Sequence, residues 1–180
     1  MRWLAVLAVS LACSITYGVE VPDACRVDNI GGRCTWASIE TAGNVNGCQG
    51  TRGIVKLRLK KHRVTNDPGY MPTVRKQLDE LGVRYVAHDD YKYDREALAK
   101  YANEHGAVVT IMPGNTHCGG PHSIYVTEYT DKIVRFYDPN RPLRGSKAPH
   151  LWTAQRKFFD KFWAGNFVVI LPDESESIAE

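Results

Sequence analysis

The spacing of apolar residues divides the chain into a helical first part and a strand-rich second part. Residues 34–42 contain no helix breaker and place Trp36, Ile39 and Gly43 three to four apart. One side can therefore bury while Glu40 faces out, and Gly43-Asn44 reads as the stop. Residues 72–81 predict a second helix, with Pro72 in its first turn, Val74, Leu78 and Leu81 along one side, and Gly82 as the stop. Residues 94–105 predict a third, capped by Asp94 and turning Leu98, Tyr101 and Ala102 inward. Residues 53–64 are ambiguous. Ile54, Val55, Leu57 and Leu59 fit either a strand with Lys56, Arg58 and Lys60 outward or a short helix.

Beyond this point branched and aromatic residues dominate. Residues 83–87 suit a short strand, and residues 107–112, 123–130, 133–137 and 167–171 suit longer ones, with a hairpin at Thr130-Asp131-Lys132. Residues 150–163 interrupt them, and Leu151, Phe158, Phe159, Phe162 and Trp163 there read as a helix packed on the sheet. Trp36 and Trp163 are expected in the core. Helices followed by an antiparallel sheet predict an α+β domain.

Composition adds limits. At 180 residues, with 43% hydrophobic and 24% charged positions, the chain suits one soluble domain and leaves no room for a second. The start differs from the rest: Arg2 is positive, residues 3–12 are almost wholly apolar, and Thr16-Tyr17-Gly18 ends in a small residue. This pattern predicts a signal peptide over residues 1–18, a domain over residues 19–172 and an acidic, frayed tail over residues 173–180. The apolar run is shorter than the roughly 20 residues of a membrane-spanning helix, so no stable membrane insertion is expected. An uncleaved anchor and a lipid on Cys13 are the alternatives. The expected location is secreted or cell envelope, periplasmic if the source is bacterial.

Without Arg2 the net charge falls from +3 to +2 (3 − 1), which implies no obligatory acidic partner and no nucleic acid. The run Lys56, Arg58, Lys60, Lys61, His62 and Arg63 could meet phosphates or an anionic cell-wall polymer, although a solvated face explains it as well. Without Cys13 four cysteines remain, and two disulfides are the simplest reading in an oxidising compartment. The surroundings of Cys34 argue for a free thiol there. Cys25 and Cys48 could then pair, leaving Cys118 over, and the pairing stays open.

A thiol attacks only as thiolate, and the first turn of a helix favours that form through the positive end of the helix dipole. Gly31-Gly32-Arg33-Cys34 before a helical run puts Cys34 there. The two glycines let the backbone pass close to a bound acyl group, and the amide of Cys34 can donate to an oxyanion. Such a thiol needs an imidazole, and the imidazole needs a partner to fix its tautomer. Gly119-Gly120-Pro121-His122 opens one apolar strand and Asp138-Pro139-Asn140 closes the next, so the hairpin makes His122 and Asp138 neighbours across the ladder. The plainer alternatives are a structural or disulfide-bonded Cys34, a His122 that only begins a strand and an Asp138 that only begins a turn. His117, Cys118 and His122 are all possible zinc ligands, but they lack a recognised spacing and a fourth ligand, so no metal is expected.

Gly-Arg-Cys34-Thr-Trp-Ala-Ser, Pro-His122-Ser-Ile-Tyr-Val and Tyr-Asp138-Pro-Asn together resemble the papain-like cysteine peptidases of the bacteriocin-processing, double-glycine leader peptidase group, over roughly residues 28–171. The resemblance implies a papain-like cysteine proteinase fold, with N-terminal helices packed on an antiparallel β-sheet. It also implies Cys34 as nucleophile, His122 as general base and then acid, and Asp138 as the orienting carboxylate. Such enzymes place a glutamine about half a dozen residues before the cysteine to donate to the oxyanion. Here Asp28 and Asn29 occupy that region, and Asn29 is the nearest amide donor.

The leading expectation is a thiol hydrolase that cleaves a peptide or amide bond through a thioester and needs no cofactor. The alternatives are a papain-like module that binds a peptide or cell-wall component without turnover, and a transferase or cell-wall amidase using the same thiol. Oligomeric state is left open.

Overall fold

The computed structural model describes residues 18–61, 71–89, 92–112, 120–140 and 150–174. The expected signal peptide, the metal candidates His117 and Cys118, the basic residues His62 and Arg63, and the end of the acidic tail lie outside the described residues.

Helices come first in the chain: α1 Cys34–Asn46, α2 Ile54–Lys61 and α3 Met71–Glu80. Strand β1 (Tyr85–His88) and helix α4 (Arg95–Glu104) follow, then β2 Ala107–Ile111, β3 His122–Tyr129, β4 Ile133–Tyr137, β5 Leu151–Gln155, the short α5 Arg156–Phe159 and β6 Trp163–Ile170. The six strands form one sheet in the order β1-β6-β2-β3-β4-β5, with every neighbouring pair antiparallel.

The strand period of two sends alternate residues to opposite faces, and each face has its own core. Val108, Tyr125, Tyr137, Val168 and Ile170 pack with Trp36 and Ile39 of α1, Ile54 and Val55 of α2, and Val74 and Leu78 of α3. Their sequence neighbours Val109, Ile124, Val126, Phe167 and Val169 pack on the other face with Leu98 and Ala102 of α4, Phe159 and Trp163. β3 and β6 are buried along their whole length, as strands covered on both faces must be. The expected α+β, papain-like layout holds with one addition: only α1 to α3 share a face, and α4 covers the reverse.

Other expectations need correcting. α1 does not stop at Gly43 but runs to Asn46, and its chain reverses at Gly47 with φ of 76°. Gly43 is needed for space, since a Cβ there would stand 1.8 Å from the buried Thr51 hydroxyl. The ambiguous segment from residue 53 is helical as α2, which buries Ile54 and Val55 and leaves Leu57 exposed. Leu81 falls beyond the end of α3 and is also exposed. Residues 150–163 are not one helix. Trp152 pairs with Phe136 in an edge strand, four residues form α5, and Trp163 already begins β6. The aromatic spacing there mixes three elements, so a helical period appeared where none runs through.

The thiols of Cys25 and Cys48 are both free, so the bond considered between them is absent. Cys25 donates to the Asn44 carbonyl at 3.6 Å, and buried Cys48 has its pKa raised by burial and by the neighbouring Asp173 carboxylate. Asp173 is anchored rather than frayed, since it accepts from the Gln49 amide at 2.8 Å.

Candidate active site

Cys34 is the first residue of α1 and is half-buried. Its helix starts there because Gly31 and Gly32 adopt φ of 66° and 76°, a left-handed turn that side chains disfavour. A Cβ at Gly32 would meet nothing within 4 Å, so this glycine is required for its backbone conformation rather than for room. The Ser123 amide donates to the Cys34 sulfur at 3.4 Å. The hydroxyls of Thr35 and Ser123 lie 2.8 Å apart, and Ser38 donates to the Ser123 carbonyl at 3.2 Å. These buried contacts fix the first turns of α1 against the start of β3. Each side of the junction alone reads as ordinary helix or strand, which hides the role of Thr35, Ser38 and Ser123 in the sequence.

His122 begins β3 and is 3% exposed. Its Nε2 lies 2.8 Å from Oδ1 of Asp138, just past the end of β4. The ladder pairs Tyr125 with Tyr137, so His122 and Asp138 meet on a diagonal rather than as directly opposed residues. With Nε2 held by the carboxylate, Nδ1 is buried without a settled hydrogen-bond partner among the described residues, and the Cys34 thiol interacts with the ring. A neutral imidazole with its proton on Nε2 presents a lone pair at Nδ1, as a base for the thiol requires.

Electrostatics couple the two groups. Burial opposes ionisation of the Cys34 thiol, but the hydrogen bond and charge of His122, with the amides of Ser123 and Thr35, outweigh it and lower the pKa. Burial likewise opposes the imidazolium, yet Asp138 and then Cys34 push the pKa of His122 up to about 10. Each group therefore favours the charged form of the other, a thiolate beside an imidazolium.

Asn29 also comes to this site, with both ends of its side-chain amide engaged. Its Oδ1 accepts from the Arg33 amide at 2.5 Å and its Nδ2 donates to Asn140 Oδ1 at 2.7 Å. Its own amide donates to the Pro139 carbonyl at 2.6 Å. Asn140, which the sequence shows only as part of an Asp-Pro-Asn turn, donates its amide to Asp138 Oδ1 at 2.8 Å and brings Nδ2 to 3.4 Å from His122 Nε2. Among the described residues no group of three or more metal-binding side chains is present.

No protein-family profile and no curated protein sequence matches the chain. Its structure does match solved ones. A double glycine motif protease from an AMS/PCAT transporter, crystallised in complex with the leader peptide, superposes with a TM-score of 0.58 at 16% identity over 87% of this chain and 94% of that one. The peptidase domain of Streptococcus ComA, a bi-functional ABC transporter of a quorum-sensing pathway, gives 0.55 at 16% identity over 82% and 97%. The chain thus has the fold of these papain-like peptidase domains over nearly their whole length.

Proposed function

We propose that this protein is an exported cysteine hydrolase that cleaves a peptide or amide bond through Cys34, His122 and Asp138. The observation that carries this reading is the convergence of three residues distant in sequence: a half-buried thiol at a helix start, a buried imidazole interacting with it, and a carboxylate 2.8 Å from the far ring nitrogen. Spatial grouping of this kind is what nucleophilic catalysis demands. The likeness in fold to peptidase domains, one of them holding a leader peptide, supports a peptide as substrate.

The chemistry runs in two halves. Cys34 thiolate attacks the carbonyl carbon, and the developing oxyanion is met by the Cys34 backbone amide at the positive end of α1. The C–N bond then breaks as His122 imidazolium gives its Nδ1 proton to the leaving amine, and a thioester remains. Water attacks the thioester while His122 takes back a proton. The C–S bond breaks, the acid is released, and the thiolate-imidazolium pair is restored.

The competing reading is a module on the same fold that holds a peptide without turning it over, motivated by the lack of a glutamine before Cys34. Export rests on the charged start and apolar run of residues 1–18.

Both points are tested on protein collected after export, which should have the mass of a chain beginning at Val19. That protein is incubated with peptides containing an internal Gly-Gly and with scrambled controls, and quenched samples are examined by mass spectrometry. Cleaved peptide, with an acyl adduct on Cys34 that hydroxylamine removes and that Cys34→Ala lacks, is the expected result. Bound but uncleaved peptide would move the assignment to the binding module, and a chain retaining residues 1–18 would contradict export by cleavage.

A further inference from the structure

We infer that Asn29 and Asn140 form an amide relay that positions the start of the Cys34 helix against the His122–Asp138 pair, an inference that rests on reading these three residues as a hydrolytic triad. The relay makes both asparagines positioning residues, and it assigns Asn29 a role other than donation to an oxyanion.

The orientation of the relay follows from one fixed donor. The Arg33 amide can only donate, so the atom of Asn29 that lies 2.5 Å from it must be the carbonyl oxygen. That places Asn29 Nδ2 toward Asn140, where the atom 2.7 Å away must be the acceptor Oδ1. Asn140 Nδ2 then lies 3.4 Å from His122 Nε2 as a neighbour rather than a bonded partner, because Nε2 already directs its proton to Asp138. In parallel the Asn140 amide donates to Asp138 Oδ1 at 2.8 Å, the same oxygen that holds His122 Nε2. One end of the relay thus holds the backbone amide of Arg33, the residue before Cys34, and the other is joined to Asp138 through the Asn140 backbone amide.

Two further bonds make a seam beneath it. The Asn29 amide donates to the Pro139 carbonyl at 2.6 Å, and the Tyr137 hydroxyl donates to the Val27 carbonyl at 3.2 Å. Neither uses the Asn29 or Asn140 side chain, so the loop and the turn stay joined when an amide is removed. What is lost is angular control. Without Asn29 the Arg33 amide loses its acceptor and the first turn of α1 can fray, which weakens the amide contacts that favour the thiolate. Without the Asn140 side chain the Asn29 amide loses its acceptor, and the turn that presents Asp138 loses its side-chain tie to the start of α1.

The test is the rate of Cys34 alkylation by iodoacetamide as a function of pH, in the whole mature protein and in Asn29→Ala, Asn140→Ala and the double variant, with thermal melting recorded for each. Each single variant should melt as a folded protein. Its labelling midpoint should rise toward the ordinary thiol value by about one pH unit, a roughly tenfold loss of rate in the acid range. The double variant should show no more than either single one, because breaking one chain of bonds at two places removes it once. Unchanged midpoints in the singles, or shifts that add in the double, would overturn the relay. A wild-type midpoint near about 8.5 would instead refute the triad reading beneath it. If Asn29→Ala fails to fold, Asn140→Ala at the turn carries the same prediction alone.

Discussion

At the scale of single residues, the reactivity proposed for Cys34 depends on two opposing effects at His122. Burial of the ring disfavours a positive charge, while Asp138 and the Cys34 sulfur favour it and raise its pKa to about 10. Because the folded value exceeds the unfolded one of about 6.5, the pairing stabilises the fold fully below that pH, and the contribution is lost as the pH rises through about 10. The active pair should therefore persist from the lowered pKa of the thiol up to that limit. Asp138→Ala removes the largest contribution favouring the imidazolium. We expect its alkaline limit of hydrolysis to fall toward neutrality and its turnover to drop by about a hundredfold or more, as loss of an oriented acid-base group does. A pH–rate profile with an unmoved alkaline limb would show that the carboxylate only begins a turn. Cys34 was legible in the sequence because Gly31-Gly32 lead into a helical run that it begins, and His122 and Asp138 because Pro121 and Pro139 mark the start of one apolar strand and the end of the next. Asn140 was not, because an asparagine after Asp-Pro is equally explained by the turn itself.

At the scale of elements, α1 carries Cys34, the proposed nucleophile, and must sit tightly on β3, and small residues make that possible. Gly43 was readable as a helix stop because glycine ends many helices, yet here it lies inside one and faces buried Thr51. Propensity and packing oppose each other at this site. Gly43→Ala would gain about 1 kcal/mol of helix propensity but must accommodate a Cβ 1.8 Å from the Thr51 hydroxyl and 2.8 Å from its Cβ. Overpacking of that kind costs about 1–3 kcal/mol, so the substitution should lower the denaturant midpoint, and Thr51→Ala should restore part of it. An increase in stability from Gly43→Ala alone would show that the helix shifts freely. α3 and α4 were readable because their periodicity coincides with the buried faces, Val74 and Leu78 in one and Leu98 and Ala102 in the other. The segment after residue 150 was not. Its aromatic residues serve an edge strand, a single helical turn and a central strand in succession, and only pairing with β4 and β2 separates them.

At the scale of the molecule, the site exists only through the whole fold. α1 brings Cys34 to one face of the sheet, β3 supplies His122 at its first residue, and the chain leaving β4 returns Asp138 to meet it. The order of helices and then strands made the α+β class legible, but not the division of helices between two faces, which is set by the alternation of buried residues in β2, β3 and β6. Folding begins to involve the chain near the expected cleavage point, since the Val19 amide donates to the Thr127 carbonyl at 2.8 Å and Val21 is buried. The domain proposed to remain after cleavage is therefore bonded into the sheet from its first residue. The most direct test of the central claim is the pH dependence of Cys34 alkylation in the folded protein and in His122→Ala, with the labelled residue mapped by mass spectrometry. An activated pair predicts labelling of Cys34 well below the ordinary thiol pKa of about 8.5, with a return toward that value in the variant. Labelling that follows the ordinary value in both proteins, or a Cys34 found in a disulfide, would contradict it.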